Sequence, residues 1–290
     1  MQILVFPNGS QYVGNTRNRK PNGYGNATWT TGDKYSGQFS NGKRNGYGEM
    51  EYSDGVKYIG HWLDDKKHGN GSEVSNIGTA YTGQFRNGRK DGFGTAKYAS
   101  GNVYTGQWKD DKKHGNGTYV LPTSVYTGEF KNDVIRGYGQ LTHDDGSRYS
   151  GEFDNDNING FGTFIDVDGS IYIGDHLNGL ASGFGNWSFP DGSTYIGHFK
   201  LGHRDGNGTC TYGSSAGRAK GSVYIGEWTN GERNGYGKVI RSDGSGYEGQ
   251  WNNGKKHGCG TFIFPNGTEE LYLWENDEMK GPKCLNKFDL

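Results

Sequence analysis

The chain has little of what an ordinary core is made from. Only 30% of its 290 residues are hydrophobic, too little aliphatic material for two packed layers. It has no long apolar run at its start, where Ile3 to Phe6 is four residues. A signal peptide needs roughly 7 to 15 and a membrane span about 20, so a cytoplasmic protein is expected. Cysteine is scarce: Cys210, Cys259 and Cys284 lack Cys-x-x-Cys spacing. Free thiols in a reducing compartment are the expectation. No Ser–His–acid or Cys–His set stands apart from the periodic pattern described next. That leaves no candidate nucleophile and no catalytic residue, and the chain reads as a non-enzyme without cofactor.

What is present is 54 glycines and 14% aromatics, set in a period. The stretch Tyr35 to Lys57 reads YSGQFSNGKRNGYGEMEYSDGVK. Tyr35, Gly37 and Phe39 are spaced by two and share one face of an extended chain. Asn41-Gly42 signals a hairpin, because both residues accept positive φ. Gly46 and Gly48 open a second strand, and Asp54-Gly55 turns the chain again. Lead tyrosines recur at Tyr12, Tyr35, Tyr58, Tyr81, Tyr104, Tyr126, Tyr149, Tyr172, Tyr195, Tyr224 and Tyr247. Eight of the ten steps between them are 23, the others being 22 and 29.

A fixed period of this size marks a linear repeat array. The expected fold is all-β, an elongated single-layer antiparallel meander of about eleven hairpins with terminal half-repeats. Full repeats span 12–267, and a degenerate capping repeat spans 268–290, where Glu270 replaces the lead Tyr. The period leaves no linker, so one domain of about 22 to 24 strands over 1–290 is expected, its length on the order of 110 Å at about 4.8 Å per strand. Residues 213–220, GSSAGRAK, are the one insertion and read as a tolerated surface loop.

Three positions per copy are always glycine: two, eleven and thirteen after the Tyr, or 33 of the 54. Glycine weakens a strand interior. Its regular retention implies that a ring from the neighbouring strand lies flat over the glycine row. The rings four after each Tyr fit this: Phe39, Trp62, Phe85, Trp108, Phe130, Phe153, Phe199, Trp228 and Trp251, with Thr16 and His176 as exceptions.

Tyr-x-Gly-x-Phe/Trp, Asn-Gly and Gly-Tyr/Phe-Gly every 23 residues resemble MORN repeats (membrane occupation and recognition nexus) over residues 7 to 267. The resemblance implies a twisted meander with a grooved face and a protein-binding scaffold, in some members ciliary or cytoskeletal.

Two surfaces are candidates for binding. The nine Phe and Trp positions are expected to form a groove for a protein partner, an extended peptide or a helix. The basic pairs Lys43-Arg44, Lys66-Lys67, Arg89-Lys90 and Lys112-Lys113, with Arg17, Arg19 and Lys20, are expected to stack as loops along one edge. That edge would suit an anionic partner, and the alternative function is a peripheral membrane adaptor binding anionic phospholipids such as phosphoinositides. The bland reading is a solvated edge that discourages strand pairing. Residues 1–125 carry a net charge of +6, 126–196 −8 and 197–290 +1. This polarity suggests a weak antiparallel homodimer. No nucleic acid is expected as a partner.

Other apparent sites dissolve. His68, His114 and His257 precede a repeat glycine, and His68 and His114 are four strands apart, about 19 Å, too far to share a metal. Asn155 to Gly160 lacks the leading Asp and closing Glu of a calcium loop. The Gly-x-Gly pairs precede no helix that could hold a phosphate. The Asn-Gly-Ser/Thr triplets at Asn8, Asn70, Asn116, Asn207 and Asn266 are by-products of turn chemistry.

Overall fold

In a computed structural model of the chain, residues 1–281 and Cys284 are described. They form 25 β-strands, from Gln2–Val5 to Glu278–Gly281, and one short 3-10 turn, Gly217–Ala219. The all-β expectation is met, with one strand more than the range read from the period. Contacts divide the chain into two compact units, Met1–Leu141 and Thr142–Leu290, and each is taken by itself.

In both units consecutive strands pair antiparallel. The strand Lys34–Ser40 pairs forward with Lys43–Glu51 and back with Lys20–Thr28. In the second unit Thr194–Lys200 does the same with His203–Thr211 and Leu180–Ser188. Each hairpin tip carries left-handed residues, such as Asn41 (φ 51) and Gly42 (φ 90), the backbone that a two-residue turn matched to strand twist requires. The tip is also tied to the preceding hairpin: the Gly42 N–H donates to the Pro21 carbonyl at 2.8 Å, and Gly231 N–H to Arg204 at 2.9 Å. Between hairpins, Tyr52 N–H donates to the Val56 carbonyl at 2.8 Å, and Val56 N–H donates to Asp54 Oδ1 at 3.0 Å.

The core of each unit is a ladder of rings on one face. Each lead tyrosine lies over a pair of cross-strand glycines. A Cβ built on Gly48 would sit 2.2 Å from the Tyr35 hydroxyl, and one on Gly37 would meet Gly48 Cα at 2.4 Å. This corrects the sequence reading: the ring over the glycines comes from the lead tyrosine, not from the Phe/Trp position of a neighbouring strand. The tyrosine hydroxyl then reaches the backbone three residues on, Tyr35 Oη donating to the Gln38 carbonyl at 3.0 Å and Tyr195 Oη to His198 at 3.0 Å. The Phe or Trp stands edge-on between two such tyrosines. Phe39 is 5.1 Å from Tyr12 and 5.0 Å from Tyr35, both T-shaped, the arrangement the ring quadrupole favours. His176 takes the same place between Tyr149 and Tyr172, at 5.0 Å from each.

The insertion after Thr211 folds back onto the preceding loop, Ser214 N–H donating to the Asp191 carbonyl at 2.8 Å. One expectation about cysteine fails. Cys259 and Cys284 form a disulfide, while Cys210 is free and buried. The two sulfurs are 25 residues apart in sequence, and no short motif announces the pair. The tail expected at Pro282–Leu290 lies, apart from Cys284, outside the described residues.

Candidate binding surfaces

The nine sequence-predicted groove residues are brought into rows, Phe39, Trp62, Phe85, Trp108 and Phe130 in the first unit and Phe153, Phe199, Trp228 and Trp251 in the second. They are core: their exposure runs from 3% to 7%. Where the ring is Trp, its N–H is used as well. Trp62 Nε1 donates to the Gly48 carbonyl at 3.2 Å and Trp251 Nε1 to Gly237 at 3.0 Å. These rings form the floor of the face, and its outer surface is made by the residues above them. Burial pushes the hydroxyls of Tyr35, Tyr172 and Tyr195 up to about 12, and those of Tyr58, Tyr81, Tyr104, Tyr224 and Tyr247 higher still. Burial pushes the His176 imidazole below its ordinary value.

Much of that covering layer is cationic, and here the basic pairs are placed differently from expectation. They are not loops on one edge. Lys43-Arg44, Lys66-Lys67, Arg89-Lys90 and Lys112-Lys113 begin strands, so period-two alternation sends the members of each pair to opposite faces. The Lys43 side chain is 56% exposed and that of Arg44 16%. The second members roof the ladder. Arg44 Cζ stands 4.2 Å from the Trp62 ring centroid, Lys67 Nζ 5.9 Å from Phe85, Lys90 Nζ 5.3 Å from Trp108 and Lys113 Nζ 5.5 Å from Phe130. Arg204, Arg233 and Lys256 repeat this over Trp228, Trp251 and Trp274 at 4.1, 4.0 and 4.2 Å. Burial there pushes the Lys256 ammonium below its ordinary value. Cation–π contact of this kind contributes about 0.5 to 2 kcal/mol each.

Several of these charges are already paired. Lys43 meets Asp64 at 3.6 Å, Arg44 meets Asp65 at 3.1 Å and Arg89 meets Asp110 at 3.0 Å, and Lys67 is bonded to Glu73. The free basic stripe is therefore reduced to exposed Lys66 and Lys112, with Arg17, Arg19 and Lys20 of the first repeat.

The opposite face carries rings that sequence reasoning passed over. The residue inside each Gly-x-Gly points outward, and it is aromatic at Tyr24, Tyr47, Phe93 and Tyr138 in the first unit and at Phe161, Phe184 and Tyr236 in the second. Their exposure runs from 47% to 62%. Their presentation is built in. For Tyr47, its own strand bulges, Asn45 to Tyr47 facing the single Gln38 between the pairs Gly37–Gly48 and Phe39–Arg44, and with positive φ at Gly46 (97°) this lifts the ring. The side chain of Gln38 then accepts the Tyr47 N–H at 2.7 Å, as Gln84 accepts Phe93 at 2.7 Å and Glu227 accepts Tyr236 at 2.9 Å. The signal in the sequence is the middle letter of Gly-x-Gly.

Among the described residues, no group of three or more His, Cys, Asp or Glu gathers as a metal site. His68, His114 and His257 each bury an Nδ1 without a hydrogen-bond partner.

A family model, MORN repeat, matches residues 12–34, 35–57, 58–80, 81–103, 104–124, 126–148, 149–171, 172–194, 195–216, 224–246 and 247–269. No curated protein matches the chain. Similar solved structures include the SAS-4 (dCPAP) TCP domain of Drosophila melanogaster in complex with a proline-rich motif of Ana2, at 16% identity, 58% of this chain, 86% of that one and a TM-score of 0.29. A mutant TCP10 domain of Danio rerio CPAP gives 13%, 78%, 94% and 0.26. Virginiamycin B lyase from Staphylococcus aureus gives 11%, 92%, 88% and 0.16. Similarity at this level bears on neither the chemistry nor the partners of this chain.

Proposed function

The chain belongs to the MORN-repeat family, and from that membership we propose a non-catalytic scaffold that holds protein partners against the faces of its sheet. The observation that carries this reading is the exposed aromatic row, Tyr24, Tyr47 and Phe93 in the first unit and Phe161, Phe184 and Tyr236 in the second. Aromatic side chains are enriched at the centres of protein interfaces. Tyr24 and Tyr47, like Phe161 and Phe184, stand two strands apart, about 9 to 10 Å, and Asn70 and Asn207 take the intervening place before Phe93 and Tyr236, a spacing an extended partner can follow. The buried ladder supplies rigidity beneath, and partner contact on its own face falls to what covers Phe39 and its counterparts. A cytoplasmic cytoskeletal or ciliary assembly is the setting we propose, on the family resemblance alone. Phospholipid binding through the basic edge has less support. Four of the eight cations in its basic pairs lie over core rings, and two more, Lys43 and Arg89, are matched by aspartates.

The test is affinity purification from cells with the triple change Tyr24→Ser, Tyr47→Ser and Phe93→Ser, checked for unchanged circular dichroism. Loss of a partner set that wild type retains is the expected result. Recovery of the same set with the triple variant would sink the aromatic-row reading.

A further inference from the structure

Seven repeats place Arg or Lys nine residues after the lead tyrosine, and each cation covers the ladder ring of the next repeat. The three arginines among them share a fuller geometry. Each guanidinium lies over a tryptophan and donates to the carbonyl of the second turn residue of the next hairpin: Arg44 to Asp65 at 3.0 Å, Arg204 to Gly231 at 2.8 Å and Arg233 to Gly254 at 2.6 Å. The fold thus builds one kind of seat several times and fills it from within.

The first repeat builds the seat and leaves it open. Its ninth position is Pro21, which has no arm to send over Phe39. A cavity of about 430 Å³ stands there, lined by Tyr12, Phe39, Trp29, Phe6, Pro21 and Gly42 among others. The parts that receive an arginine elsewhere are present, with Phe39 in the place of the tryptophan. Tyr12 and Phe39 meet edge to face at 5.1 Å, as Tyr195 and Trp228 do at 5.4 Å beneath Arg204. Gly42 takes the place of Gly231, with the same bond from its N–H to the ninth residue, 2.8 Å to Pro21 against 2.9 Å to Arg204. Its carbonyl is the counterpart of the one that accepts the guanidinium. Trp29 adds a wall that already attracts a cation, since Arg44 Cζ is 5.6 Å from its ring centroid. Lys20 is exposed beside buried Pro21, and alternation turns its charge to the other face.

We propose that this cavity is a vacant arginine seat, which takes a guanidinium side chain of a partner protein. It rests on the scaffold reading only in supposing a protein partner. Arginine is favoured over lysine because the planar head can lie on the rings and still donate to the carbonyl.

The experiment uses the full chain and an isolated probe, so that its failure and that of the scaffold reading stay separate. N-acetyl-arginine amide and its neutral isostere N-acetyl-citrulline amide are titrated to about 100 mM, following the Trp29 indole N–H by NMR, assigned by its loss in Trp29→Phe. The expected result is saturable movement of Trp29 with arginine and at least roughly tenfold weaker binding of citrulline, the scale of a desolvated cation–π contact. Pro21→Arg, which fills the seat from within, should lower arginine affinity at least about tenfold while keeping a dispersed spectrum. No movement of Trp29, or equal affinities for the two probes, overturns the proposal, as does undiminished arginine binding by a folded Pro21→Arg. If that variant does not fold, the wild-type comparison of arginine with citrulline decides alone.

Discussion

Between Tyr35 and Phe130 the ring ladder is roofed by cations, Arg44, Lys67, Lys90 and Lys113. Between Tyr149 and Phe199 the same position holds Ile158 and Ala181, and one rung is His176. The floor is unchanged: Tyr172 lies over Gly185 as Tyr35 lies over Gly48, each near 2.5 Å or closer to where a Cβ would stand. The difference teaches which layer the fold depends on. Tyrosine on glycine is obligatory in both stretches, whereas the cationic roof can be removed. Where it is removed, the local charge turns from +6 over residues 1–125 to −8 over 126–196.

The comparison can be broken most forcefully at the shared floor. Gly48→Ala and Gly185→Ala should each destabilise their own unit by at least about 3 kcal/mol, since a methyl must displace a packed ring. Hydrogen exchange resolved by unit measures this, and tolerance of alanine at either site would refute the floor argument. Next comes a clamp found in the second unit, Cys259–Cys284. Its reduction should cost that unit about 3 kcal/mol for a loop of this length and leave exchange in the first unit unchanged. In the roofed stretch, Arg44→Ser should cost about 1 to 2 kcal/mol and the neighbouring Lys43→Ser under about 0.5. Equal losses in urea melts would return both residues to a common edge.

Proton dependence sharpens the contrast further. His176 is buried with its pKa lowered, so the stability of the second unit should decline as pH falls below 6.5, the ordinary value. The first unit lacks this group in its ladder, and His176→Phe should abolish the decline that sets in above the carboxylate range of about 4. Raised tyrosine pKa values act in both units. Their contribution is complete below pH 10, the ordinary value, and is lost as pH rises through about 12. Thermal melts across both limbs decide whether the acid limb belongs to one unit and the alkaline limb to both. The smallest effect concerns self-association between the basic and acidic stretches. Exposed pairs contribute about 0.2 to 1 kcal/mol each, so a weak dimer at about 50 mM salt should dissociate by about 500 mM. Light scattering showing a monomer at both would exclude it.

Most of the fold was legible because its rules are local. Period-two spacing, Asn-Gly turns and the 23-residue repeat fix strands and pairing without long-range information. The candidate surfaces were less legible, and the reasons are physical. Two adjacent lysines look like one basic spot in sequence, yet a strand separates them by the thickness of the sheet. Trp62 is covered by Arg44 lying across its ring, which hydropathy does not register. Tyr47 sits inside a glycine motif, and only the bulge of its strand opposite Gln38 shows that it stands out. The disulfide joins the last full repeat to a residue beyond the period, where the pattern that guided everything else has ended.

The bond from each hairpin tip to the hairpin before it has a consequence for how the molecule is made. Such stitches, with the strand pairings, keep partners close along the chain. Even the Arg204 guanidinium reaches only 27 residues ahead, to Gly231. Sheet proteins usually fold slowly because distant segments must meet before anything is gained. Here a newly synthesised hairpin finds its neighbour already in place, and assembly can advance one repeat at a time behind the ribosome.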